Sequence, residues 1–209
     1  NSIMERNSKK LFYDSWIRNR LIMIASPDKF IISPKNGSQY NNVKKIGDSD
    51  IIINTSIEEA IDVQRYGVVK SLPINYKGDI KVGYEVIVHH NIFRITYNDK
   101  GVPMQSDSHI IDDLFFADQE LVYLSICQEQ KKGANGYVFI KPIEEEVEFE
   151  GKKELQHIGI IRYICTELES QGLKEGDKIC FRKNCEYEFN IDDERLYVMN
   201  HKRILAKLN

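Results

Sequence analysis

The chain has no apolar run approaching the ~20 residues that cross a bilayer. Leu21 to Ala25 is the most apolar short segment, and no small-residue cleavage pattern follows it. These two absences lead us to expect a cytoplasmic protein with no membrane partner. No charge of one sign dominates either: the formal net charge is −3 and the pI near 6.0, so no global field favours nucleic acid. The four cysteines, Cys127, Cys165, Cys180 and Cys185, contain no C-x-x-C pair, which speaks for reduced structural thiols over a disulfide framework or a zinc cluster. Cys180 sits in a strand on the side expected to face inward. Also missing are G-x-S-x-G, G-x-x-x-x-G-K-[ST], H-E-x-x-H and a G-x-G-x-x-G following a strand, so no catalytic residue, metal ligand or cofactor is expected and the chain is read as a non-enzyme.

What is present is β structure. The 209 residues are 42% hydrophobic and 29% charged, enough to bury a core in one medium or two small domains. Between Gly172 and Leu208 short alternating segments and tight turns follow one another with little slack. Gly176 provides a position for positive φ, and Lys178-Ile179-Cys180-Phe181 then alternates as a half-buried strand does. Asp192-Asp193 makes a turn between Glu186-Tyr187-Glu188-Phe189 and Arg195-Leu196-Tyr197-Val198-Met199, and Ile204-Leu205-Ala206 closes the series.

The stretch also has an earlier twin. Phe30-Ile31-Ile32-Ser33-Pro34 matches Val138-Phe139-Ile140-Lys141-Pro142, and Tyr66-Gly67-Val68-Val69-Lys70 matches Ile158-Gly159-Ile160-Ile161-Arg162. Ile80 to Val88 matches Leu173 to Phe181, and Leu121-Val122-Tyr123-Leu124 is matched to Leu196-Tyr197-Val198-Met199. Two tandem copies of one all-β unit follow, with an arm or helix over 1–28, a first domain over 29–127, a polar linker over 128–136 and a second domain over 137–209. The arm carries Phe12, Trp16 and Met23, with Tyr13, Ile17, Leu21 and Ile24, at helical spacing. Such a helix packs on the first domain or offers Tyr13 and Trp16 to an oligomer contact.

Leu173-Lys174-Glu175-Gly176-Asp177-Lys178-Ile179-Cys180-Phe181, the run from Tyr187 to Met199, and Ile204-Leu205-Ala206-Lys207-Leu208 resemble the C-terminal half of the GroES-type co-chaperonins. The resemblance implies tandem GroES-like β-barrels, self-association into a ring, and a chaperone role capping a GroEL-type chaperonin. It also implies a mobile loop between the first strand and the glycine-led strand, here about Lys35 to Arg65. There Ile51, Ile52 and Ile53 resemble the family's docking tripeptide. Three consecutive isoleucines read equally as a strand buried on both faces. Ser56 and Glu59 form a capping-box pattern, which would start a short helix from Ile57 to about Val63.

The two copies differ mainly in loops. Phe30 to Gly67 is 37 positions against 21 from Val138 to Gly159, and Gly83 to Leu121 is 38 against 20 from Gly176 to Leu196. The second insertion holds His89, His90, Phe93 and Tyr97, and Asn98-Asp99-Lys100-Gly101 is a turn signal that makes it a projecting hairpin. Co-chaperonins carry a roof hairpin near this place, and phage-encoded relatives have segments similar to Val86-Ile87-Val88-His89-His90-Asn91. These residues are therefore expected at an oligomer or roof contact. His89, His90, His109 and Asp107 can also be read as metal donors, but adjacent strand residues face opposite ways, which disfavours one shared ion. The matching loop of the second copy, Ile143 to Gln156, is acidic and reads as a charged hairpin without a docking role. The alternative to a co-chaperonin is a structural or assembly protein, such as a viral particle component, built from the same barrels.

Overall fold

The computed structural model of the chain describes residues 26–40, 43–46, 49–52, 62–147 and 151–208. The expected N-terminal helix, Ile53, and Ile57 to Ile61 of the expected loop helix lie outside them. The described chain is mostly β-strand. In order the strands are β1 (Lys29–Pro34), β2 (Val43–Ile46), β3 (Ser49–Ile52), β4 (Tyr66–Ser71), β5 (Glu85–Val88), β6 (Thr96–Tyr97), β7 (Pro103–Met104), β8 (His109–Ile111) and β9 (Leu114–Asp118). There follow β10 (Val122–Cys127), β11 (Gln130–Gly133), β12 (Tyr137–Val147), β13 (Gly151–Tyr163), the helix α1 (Thr166–Ser170), β14 (Lys178–Phe181), β15 (Tyr187–Ile191), β16 (Glu194–Asn200) and β17 (Ile204–Leu208).

Two compact units are formed. Unit 1 takes the described residues up to Lys77, with Lys81–Gly83 and His90–Gln119; unit 2 takes Gly78–Ile80, Tyr84–His89 and the chain from Glu120. The stretch expected as a linker is ordered. Gln128 and Glu129 both hold positive φ, 48° and 70°, the geometry of a tight hairpin turn, so β11 folds back along β10 with Leu124 opposite Gly133.

The order β4-β1-β9-β8 of unit 1 repeats the order β13-β12-β16-β15 of unit 2, and within unit 2 β10-β5 repeats β17-β14. The registers agree residue by residue. Pro34 faces Gly67 and Ile32 faces Val69, as Pro142 faces Gly159 and Ile140 faces Ile161. A register shift falls between Ile31 and Ile32 and again between Phe139 and Ile140. After each of these hairpins a glycine at positive φ donates its N–H to the strand: Gly83 to Val69 O at 2.8 Å and Gly176 to Ile161 O at 2.9 Å.

One of the four sequence matches is displaced by a strand. β1 pairs Ile32 with Phe115 and β12 pairs Ile140 with Tyr197, so the partner of Leu196 to Met199 is Leu114 to Ala117, not Leu121 to Leu124. Leu121-Val122 answers instead to Arg203-Ile204: His89 N–H donates to Leu121 O at 2.9 Å just as Arg182 N–H donates to Arg203 O at 2.9 Å. Both candidates are apolar alternating runs, and only the long-range pairing separates them. The second insertion consequently lies between Val88 and Leu114, 26 positions against 15 from Phe181 to Leu196.

The sheets do not close into barrels; the six-stranded sheet of unit 2 ends at β15 and β17. Its core collects Val138, Ile140, Ile161, Ile164, Cys165, Leu168, Ile179 and Phe181. Cys180 is not among them: Ile179 and Phe181 take the inward face of β14, so the residue between them lies on the other face. The four cysteines are free thiols, and the fully buried one is Cys165. No described helix is long and apolar enough to cross a membrane.

Candidate functional site

Both insertions that set the first copy apart belong to unit 1, and they grow from one base. The first leaves β1 and returns to β4 through a neck. Tyr40 and Val63 form an antiparallel bridge, and Gln64 N–H donates to Gln39 O at 2.8 Å. Val63 is thus bridged backbone at the point where a helical end was expected. Tyr40 and Val63 are both buried. Beyond the neck, β2 and β3 pair, among the described residues, only with each other, with Ile52 opposite Val43 and Ile51 opposite Lys44. Two of the three isoleucines thus lie on a two-stranded ribbon, and Ile53 lies outside the described residues.

The second insertion is held to that neck by side chains. Gln39 Nε2 donates to Phe93 O at 2.9 Å, and its amide pairs with that of Gln105, Nε2 to Oε1 at 2.9 Å. Tyr40 Oη accepts from Ile95 N–H at 2.8 Å. Desolvation by burial pushes the Tyr40 phenol above its ordinary value, so it stays a neutral hydroxyl in this bond. Ser106 Oγ donates to Ile92 O at 2.6 Å and closes the far side of the hairpin. The tip is the turn its sequence calls for: Asn98 Oδ1 accepts from Lys100 N–H and Val102 N–H, both at 3.0 Å, and Gly101 holds φ +72°.

The residues expected at an oligomer or roof contact separate into four environments. Tyr97 is exposed on the hairpin, beside Val102 and Met104, each half exposed. Phe93 is corrected to a core residue. It is fully buried, its ring meets Phe115 edge to face at 5.0 Å, and it would be the first side chain struck by a Cβ on Gly67, together with Ile32. Burial removes it from any surface. His90 opens a 3₁₀ turn over His90–Ile92, whereas His89 belongs to unit 2, where its ring stacks on Tyr187 at 5.8 Å.

The equivalent connection in unit 2 has the opposite chemistry. β12 and β13 extend into a long hairpin with Glu144 opposite Glu154, Glu145 opposite Lys153 and Glu146 opposite Lys152. Two of these three pairs place residues of unlike charge opposite one another, an arrangement that favours strand pairing in water. Among the described residues, the donor groups close enough to share a metal ion are not His89, His90, His109 and Asp107 but Cys165, Glu167 and His201 of unit 2. Sequence reasoning missed them, and it missed α1, although Thr166 and Glu169 mark its first turn. No family model and no curated protein matches the chain.

Proposed function

We propose that the chain is a non-enzymatic co-chaperonin. Two GroES-like units self-associate into a ring that caps a GroEL-type chaperonin, with Ile51, Ile52 and Ile53 as the docking element and Tyr97 at the roof. The observation that supports this reading is the shared register of the two copies combined with the neck. The same connection between equivalent strands is an isoleucine-bearing ribbon in one copy and a charged hairpin in the other. Docking each isoleucine removes apolar area worth about 1.5–3 kcal/mol, and a ring multiplies weak contacts through effective concentration. The purified chain should bind a GroEL-type chaperonin in the presence of nucleotide, and a triple Ile51/Ile52/Ile53→Ser variant should lose that binding. Absence of binding by the unaltered chain, with no change in chaperonin ATPase, sinks the proposal.

The second reading, a structural or assembly protein such as a viral particle component, is favoured by one observation. The expected mobile loop contains the β2–β3 ribbon and a bridged neck, as an ordered packing element would. Hydrogen exchange of residues 35–65 in the free protein separates the two. Fast exchange supports docking on binding; protection throughout supports the structural role.

A further inference from the structure

Three donor side chains from two segments of unit 2 converge beside the turn that opens β12. Cys165 is the junction where the chain leaves β13 and enters α1; Glu167 lies in the first turn of α1; His201 opens the 3₁₀ turn between β16 and β17. A cysteine Sγ, a carboxylate oxygen and a ring nitrogen of these residues all lie within 4.8 Å of one another. The imidazole is already oriented. Its Nδ1 lies 3.0 Å from Gly136 O, and the backbone N–H of His201 donates to the same oxygen at 2.7 Å. A carbonyl oxygen only accepts, so the neutral ring carries its proton on Nδ1 and keeps the Nε2 lone pair for a ligand. This is the outer-sphere arrangement that fixes metal-binding histidines. Gly136 makes the fit possible: at φ +79° it has no side chain, and a Cβ there would lie 2.7 Å from His201 Nδ1.

We propose that Cys165, Glu167 and His201 form a binding site for Zn²⁺ or a similar borderline divalent ion. One sulfur, one imidazole nitrogen and one carboxylate oxygen suit such an ion, and three protein donors leave the fourth tetrahedral position to water. The bound ion ties α1 to the β16–β17 turn. With five residues, α1 is too short to be stable by itself, so a tether there acts on a weak element. The inference is independent of the co-chaperonin reading, since no residue of the β1–β4 excursion takes part.

The full chain, stripped with a chelator, is titrated with Co²⁺ and then Zn²⁺. We expect one Co²⁺ per chain with a thiolate-to-cobalt charge-transfer band, displacement of that band by one equivalent of Zn²⁺, and a higher melting temperature in the Zn²⁺ form. Cys165→Ser and His201→Ala lose stoichiometric binding, and Glu167→Gln weakens it at least about tenfold. Glu167 is not buried, so its variant keeps the test open if Cys165→Ser does not fold. No charge-transfer band in the unaltered chain, a band retained in Cys165→Ser, or an unchanged affinity in Glu167→Gln overturns the proposal.

Discussion

Two glycines in equivalent places carry different loads. Gly159 lies so close to its neighbour strand that a Cβ would sit 2.4 Å from Ile140 Cγ2 and 2.8 Å from Lys141 O. At Gly67 the same virtual atom meets Ile32 Cδ1, Phe93 Cζ and Ser33 O, all at 3.3 Å. Neither residue holds positive φ, so the difference is steric and not conformational. Gly159→Ala should therefore destabilise unit 2 by about 1–3 kcal/mol in denaturant unfolding, as overpacking does, and Gly67→Ala should cost unit 1 less. Equal losses would show that the backbone at Gly159 moves aside freely. The glycines, the turns they open and the aspartate turn were legible in the sequence, because each is a local demand on one residue. The face occupied by Cys180 was not: alternation fixes a period but not its phase, and Ile179 and Phe181 together outweigh a thiol for the core.

At the scale of the element, the neck decides how the 41–62 excursion behaves. Tyr40 contributes a bridge through its backbone and a hydrogen bond through its phenol, and Tyr40→Phe removes only the second. That bond is worth about 1 kcal/mol net, so protease should cut between Tyr40 and Val63 about fivefold faster in the variant. An unchanged rate would mean that the bridge alone holds the base. The spacing between matched blocks showed both insertions, and Asn98 to Gly101 announced the hairpin turn, but their common root was hidden. Gln39 and Phe93, or Tyr40 and Ile95, are more than fifty residues apart, and nothing local announces that they meet. The slip of one strand in the fourth match has the same origin, since Leu121 to Leu124 satisfies the pattern and fails only the pairing. The cluster of Cys165, Glu167 and His201 is likewise an outcome of topology, with one donor supplied by the far end of the unit.

Across the whole molecule, charge is spread thinly and works through small networks. In unit 2 Glu194 accepts from Lys141 Nζ at 2.7 Å and from Arg162 Nε at 2.8 Å, and these two cations hold its carboxyl below the ordinary 4.5. A depressed folded pKa stabilises fully above the unfolded value and loses that contribution as the pH falls through the folded one. Glu194→Gln should thus be less stable than the unaltered chain near neutrality. The gap should be modest, since both cations are about half exposed, and should close below about pH 4.5. A gap that persists in acid would assign the effect to packing. At this scale the sequence showed matching strand-like blocks in one order, and the strand orders β4-β1-β9-β8 and β13-β12-β16-β15 repeat that order while the loops between them differ in length.

The neck also has a mechanical meaning. A partner that pulls outward on the 41–62 excursion draws β1 from its end and β4 from its start in the same direction, so their mutual register bears little shear. The load falls instead on the outer neighbours of the pair, β1 against β9 among them, and on the ties from Gln39 to Phe93 O and from Ile95 N–H to Tyr40 Oη. Tension on the ribbon is delivered to the stem of the hairpin that displays Tyr97. A tug at one insertion is felt as strain at the other.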